Sequence, residues 1–182
     1  MKKIVFLLSI VCLFAFSAFA QTPSFAGEWK LDTSKLDERR AAMIKSETMT
    51  ITQDAKEIKS TTATERNAPP AGGGGQGGPP GGGGGMGGGF GGGMGGPATY
   101  KLDGSEVVTE RDTPNGKITT KTTAKMNGSK LEVTSVTATP NGDRTSKTTW
   151  ELSADGKTLT VKSTRPGRDG AEVTIESVYK KS

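Results

Sequence analysis

Residues 113–142 read TPNGKITTKTTAKMNGSKLEVTSVTATPNG, and their punctuation decides the fold. Asn115-Gly116, Asn127-Gly128 and Asn141-Gly142 cut the stretch into two segments of about ten residues. Asn-Gly supplies, at the least steric cost, the positive φ that a type I′ hairpin turn demands. Between the turns, Thr, Val, Ile and Lys alternate with period two, the signature of a half-buried strand. Ile118, Thr120, Thr122, Ala124 and Met126 face one side, and Lys117, Thr119, Lys121, Thr123 and Lys125 face the other.

The same grammar extends in both directions. Asp103-Gly104, Asp155-Gly156 and Asp169-Gly170 continue the series at intervals of 12 to 14 residues. Seven strands are expected at 98–102, 105–113, 117–126, 130–139, 143–153, 157–165 and 171–180, and three more at 25–32, 46–53 and 56–66. A helical spacing of Leu36, Arg39, Arg40 and Met43 predicts a short helix within 33–45. The chain is therefore read as all-β, an antiparallel up-and-down meander of about ten strands in which each pairs with the next. The first and last strands are expected to meet and close a barrel, which removes the exposed edges that invite aggregation.

Alternation also sorts the interior into two ends of unlike chemistry. Around the turns at Asp54, Asp103, Asn127 and Asp155, the inward residues are large and apolar: Trp29, Met49, Ile51, Ile58, Tyr100, Leu102, Val107, Met126, Leu131, Val133, Trp150, Leu152, Leu159, Val161 and Tyr179. Trp29 and Trp150 are read as a structural plug there. At the opposite end, around the Pro-containing turns, the inward residues are small, hydroxylated or cationic. Arg66, Arg111, Arg144, Arg165, Thr120, Ser146 and Ser163 are the candidate ligand-binding residues, because arginine grips carboxylate or phosphate with two hydrogen bonds. In strand 105–113, Val107 and Val108 compete for the inside.

The start of the chain carries an export signal. Lys2 and Lys3 precede an uncharged apolar run from Ile4 to Phe16, and Ala18-Phe19-Ala20 forms a small-x-small cleavage site. Residues 1–20 are read as a signal peptide and 21–182 as one barrel domain, exported to the periplasm or beyond. The apolar run is shorter than the roughly 20 residues a spanning helix needs. After its removal the chain is not expected to span a membrane.

Cleavage removes Cys12, the one cysteine, and the chain has no histidine. Disulfides, thiolate nucleophiles, Cys/His zinc sites and Ser-His-Asp triads are thereby excluded from the mature chain. No cofactor, metal or enzymatic activity is expected. The net charge of +5 falls to about +3 without Lys2 and Lys3, too little and too scattered for nucleic acid. A charged outer face argues against a transmembrane barrel, whose lipid side is apolar.

Nineteen of the 27 glycines crowd between Gly72 and Gly96. The segment 67–97 is read as a disordered Gly-rich loop, because low-complexity chain of this kind buries too little apolar surface to offset its conformational entropy. Met86, Phe90 and Met94 are evenly spaced in it and suit contact with a protein partner.

Phe25-Ala26-Gly27-Glu28-Trp29-Lys30-Leu31 resembles the opening strand of the calycin superfamily, which includes lipocalins and fatty-acid-binding proteins. Ser177-Val178-Tyr179-Lys180 resembles the last strand of the fatty-acid-binding branch. The resemblance implies a ten-stranded barrel with a tryptophan plug and a helical cap, and it adds Tyr179 to the candidate ligand-binding residues. That branch holds the lipid carboxylate with an arginine two residues before the tyrosine, where this chain has Ser177. The expected function is an exported lipocalin-like binding protein for a small, anionic or amphiphilic ligand. The alternative is a non-enzymatic interaction module of the cell envelope, working through the Gly-rich loop or the barrel surface.

Overall fold

A computed structural model describes residues 23–68, 97–113, 116–139, 142–167 and 169–182. The expected signal peptide, with Cys12, and the glycine tract from 69 to 96 lie outside the described residues. Ten strands are present: β1 (Gly27–Leu31), β2 (Ile44–Gln53), β3 (Glu57–Arg66), β4 (Ala98–Lys101), β5 (Val107–Thr113), β6 (Gly116–Asn127), β7 (Lys130–Thr139), β8 (Gly142–Leu152), β9 (Thr158–Pro166) and β10 (Glu172–Lys181). A 3-10 turn (Thr33–Lys35) and the helix α1 (Glu38–Met43) connect β1 to β2. Asp32 and Asp37 cap these two, their carboxylates accepting from the Ser34 and Arg40 amides.

All ten strands form one antiparallel sheet in the order β4-β3-β2-β1-β10-β9-β8-β7-β6-β5. As expected, the first and last strands meet, with Trp29 opposite Lys181 and Leu31 opposite Tyr179. One expectation fails: β4 and β5 do not pair, so Asp103-Gly104 is no hairpin turn. Asp103 turns its carboxylate back onto the Ser105 amide at 2.8 Å. Its backbone bridges to Lys125 of β6, so the chain steps past the place a β4 partner would fill. β5 begins later, with Val107 beside Thr122, and is left as an edge. The barrel is nearly closed, sealed at its base and split along the β4–β5 gap.

The other turns also differ in detail from the Asn-Gly reading. Asn127 pairs with Lys130, which makes Gly128-Ser129 the two-residue loop and places Gly128 first, at φ +59°. Thr113 pairs with Gly116 and Thr139 with Gly142, so both glycines follow the loop residues instead of lying among them. The Asp155-Gly156 turn is longer, spanning Ser153 to Thr158, with Asp155 accepting from the Lys157 amide. Glycine and the short acidic side chains still set the turns, from positions shifted by about one residue.

The core occupies one end. Phe25, Trp29, Ile51, Ile58, Leu131, Leu159, Val161, Trp150 and Tyr179 are buried there. Tyr100 and Phe25 meet the Trp150 ring edge-on, at centroid distances of 5.5 and 5.9 Å. The Trp29 indole N–H donates to the Phe25 carbonyl at 2.8 Å, which satisfies its polar atom inside the plug. Gly27 holds φ at +136°, and a Cβ there would stand 3.0 Å from the Lys181 Cε, so the first residue of the Gly-x-Trp has a conformational and a steric reason to be glycine.

Candidate functional site

The register stacks the inward side chains into tiers, and the tiers change chemistry upward. Just above Trp29 and Met49 at the base come Leu31, Tyr179, Leu159 and Leu152. Above them come Ser177, Val161, Trp150, Leu131 and Met126, then Ile175, Ser163, Thr148, Val133 and Ala124. The next tier is Ser146, Ser135, Thr122 and Val107, and the next Arg144, Thr137, Thr120 and Thr109. Arg111, beside Ile118, stands at the lip. Most of the lower side chains are buried, although Leu152, Met126 and Ile175 are only partly so; higher up Ser135 is still buried, whereas Thr120, Thr122, Thr137, Ser146 and Ile118 are half-exposed and Val173 is 41 % exposed. A ten-stranded barrel is wide, and small side chains cannot span it. Its upper half, the cup, is therefore lined by small polar side chains that stay partly exposed to solvent.

The cup wall is laced with hydroxyl pairs: Thr120 with Thr137 at 3.1 Å and Thr122 with Ser135 at 3.0 Å. Below them the Thr148 hydroxyl donates to Ser163 at 3.2 Å, with both residues buried. Ser163 thus belongs to the floor. Val107 sits in the hydroxyl tier and not in the plug, because β5 starts well above the base. Val108 is 51 % exposed on the outer face, which settles the parity of β5 and turns Arg111 inward.

Arg66, Arg111, Arg144 and Arg165 are all exposed, on inward parity, at the cup rim. None makes an ion pair with a described residue. The strand lysines mostly point outward, where Lys117, Lys121, Lys130 and Lys162 meet Glu110, Glu106, Glu151 and Glu176. Of the four, Arg144 and Arg165 lie on neighbouring strands, β8 and β9. Both stand just past Lys147–Thr164, the last pair of that ladder, and continuing its register would make Arg144 the diagonal neighbour of Arg165. Such diagonals are separated by about 7–8 Å, a span one anion bridges. Arg66 lies away from that pair, beside Ile44.

Two charged residues outside the expected set contact β10 below the rim arginines. The phenol of Tyr179 donates to Glu47 Oε1 at 2.6 Å, and Thr64 donates to Glu47 Oε2 at 2.7 Å. Arg40 of α1 donates to the Glu176 carbonyl at 3.0 Å and to the Ser177 hydroxyl at 2.8 Å. Burial pushes the Tyr179 phenol far up, and the Glu47 charge and hydrogen bond push it further, against a smaller opposing pull from Arg40. Glu47 was legible in principle, since it shares parity with the inward Met49 and Ile51. Arg40 was not, because no strand period governs a helix residue. The helix itself is pinned by polar contacts: Asn67, at the start of the expected loop, donates from its amide to the Met43 carbonyl and from its side chain to those of Ala41 and Ala42.

A surface recess lined by Ser24, Gln53, Asp54, Ala55, Leu102 and Met126 lies at the opposite, plug end, away from the arginines. No helix among the described residues is long and apolar enough to cross a membrane.

The fold and the site define a class: a nearly closed, ten-stranded antiparallel barrel, packed at one end and polar and open at the other. No family model matches the chain, and no curated protein matches it. Among solved structures, the crystal structure of secretory abundant heat soluble protein 4 from Ramazzottius varieornatus aligns with a TM-score of 0.47 at 14% identity, covering 86% of this chain and 94% of that one. The fold assigned here rests on the hydrogen-bonded register.

Proposed function

We propose that this chain is an exported, non-enzymatic binding protein of lipocalin-like type, which holds a small anionic or amphiphilic ligand in the open half of its barrel. One observation carries the reading. All four strand arginines stand on inward parity at the cup rim with no carboxylate partner among the described residues, whereas the described ion pairs of Lys117, Lys121, Lys130 and Lys162 are made on the outer face. Guanidinium is weakly hydrated and planar, and an unpaired group of this kind suits an incoming anion. Ile118, Val107, Ile175 and Val173 give the cup apolar strips against which the rest of an amphiphile would lie. The Gly-x-Trp strand at Gly27-Glu28-Trp29 supports the calycin affinity, and the Lys2-Lys3 and Ala18-Phe19-Ala20 pattern supports export.

The test is a fluorescence titration with anilinonaphthalene sulfonate, an anionic amphiphile. The triple variant Arg111→Ala, Arg144→Ala, Arg165→Ala is expected to bind it roughly tenfold or more weakly, since each charged hydrogen bond contributes about 1.5–3 kcal/mol. Equal affinity in the wild type and the triple variant overturns the reading.

A further inference from the structure

We infer that Glu47 is the specificity-determining residue of the barrel: it occupies a deep anion site with the protein's own carboxylate and so restricts a ligand's anionic group to the arginines at the mouth. The Tyr179 and Thr64 hydroxyls both donate to this one carboxylate, at 2.6 and 2.7 Å. The Arg40 guanidinium, anchored on Ser177 and the Glu176 carbonyl, stands on the same side of the barrel, and its charge and that of Glu47 act on the Tyr179 phenol in opposite directions. Two hydroxyl donors converging on one half-buried position, with a guanidinium bonded to the neighbouring Ser177, form an anion site by their chemistry. Here that site comes already filled.

The consequence concerns ligand orientation. An organic anion entering head-first would bring a second negative charge against Glu47, half-buried beside the buried Tyr179, where like charges repel more strongly than in bulk water. The rim arginines carry no such charge among their described partners. A bound amphiphile therefore lies tail-inward along the Val107, Ile118 and Ile175 strips, with its anionic head between Arg144 and Arg165. Only this orientation rests on the binding function proposed above; the filled deep site does not.

The two parts are tested separately. In the first arm the charge is removed by Glu47→Ala, and by Glu47→Thr as a β-branched strand residue in case alanine weakens the fold. Acetate is then added at fixed pH and ionic strength, with chloride as the control. About 100 mM acetate is expected to raise the melting temperature of either variant by about 3 °C, or to refold it, while leaving the wild type unmoved. Acetate without effect on both variants, or an equal rise in the wild type, overturns the assignment. In the second arm dodecanoate is titrated into the wild type and into Arg144→Gln/Arg165→Gln. A roughly tenfold loss of affinity in the double variant is expected, and unchanged affinity overturns the head-out orientation. If the wild type binds no dodecanoate at all, the orientation fails together with the proposed function, and the acetate arm still decides the role of Glu47.

Discussion

At the scale of single residues, the two tyrosines report on the interior with opposite surroundings and one common consequence. Burial raises the Tyr100 phenol, partly offset by a hydrogen bond with Ser60. Burial raises Tyr179 as well, and the neighbouring Glu47 charge adds to it. Both groups keep their proton in the folded state above the ordinary phenol value of about 10, whereas the unfolded chain releases it. The folded state then binds more protons, so stability from this source is complete below pH 10 and falls as the pH rises further. Absorbance at phenolate wavelengths should stay flat past pH 10 and appear only with alkaline unfolding; a free titration near pH 10 in folded protein would contradict the assignment. Trp29 offers a second residue-scale prediction. It is fully buried and its indole is hydrogen-bonded, so Trp29→Ala should cost about 3–5 kcal/mol in denaturant unfolding. Gly27→Ala, which forces a side chain onto φ +136° beside Lys181, should cost roughly 1–3 kcal/mol.

At the scale of elements, the sequence was legible wherever local chemistry alone fixes the backbone. Period-two alternation located all ten strands to within about two residues, and it assigned Arg111, Arg144 and Arg165 to the inward side correctly. What it missed was tertiary. Nothing local in Asp103-Gly104 distinguishes it from Asp155-Gly156, yet the former does not join β4 to β5 as a hairpin, its backbone bridging instead to Lys125 of β6. Likewise Val107 was placed in the plug for its nearness to a turn, when the late start of β5 sets it three tiers up. Arg40 reaches Ser177 across 137 residues of sequence, a distance over which spacing carries no signal. The unpaired side of β5 makes a prediction of its own. Its outward-directed amides lack a ladder partner and should exchange with solvent orders of magnitude faster than those of β7 and β8, each paired on both sides. Uniform protection across β5 in a hydrogen-exchange measurement would mean that the β4–β5 gap closes in solution.

At the scale of the whole molecule, the barrel divides its two tasks between its ends. The plug concentrates aromatic and branched side chains where they pack densely, and that packing supplies stability at roughly 25 cal/mol per Å² of apolar surface buried. The upper tiers forgo that gain. Their threonines and serines bond one another across the strands and stay partly exposed to solvent. The placement of charge follows the same division, with lysine–glutamate pairs on the outside and unpaired arginines around the mouth. The most direct measurement is an NMR titration of isotope-labelled protein with anilinonaphthalene sulfonate. The account predicts progressive shifts of the Thr120, Thr137, Ser146 and Ile175 amides and of the Arg144 and Arg165 side chains, with Leu159 and Trp29 unmoved. Shifts confined to the outer lysines or the β5 edge, or none at all, would contradict it.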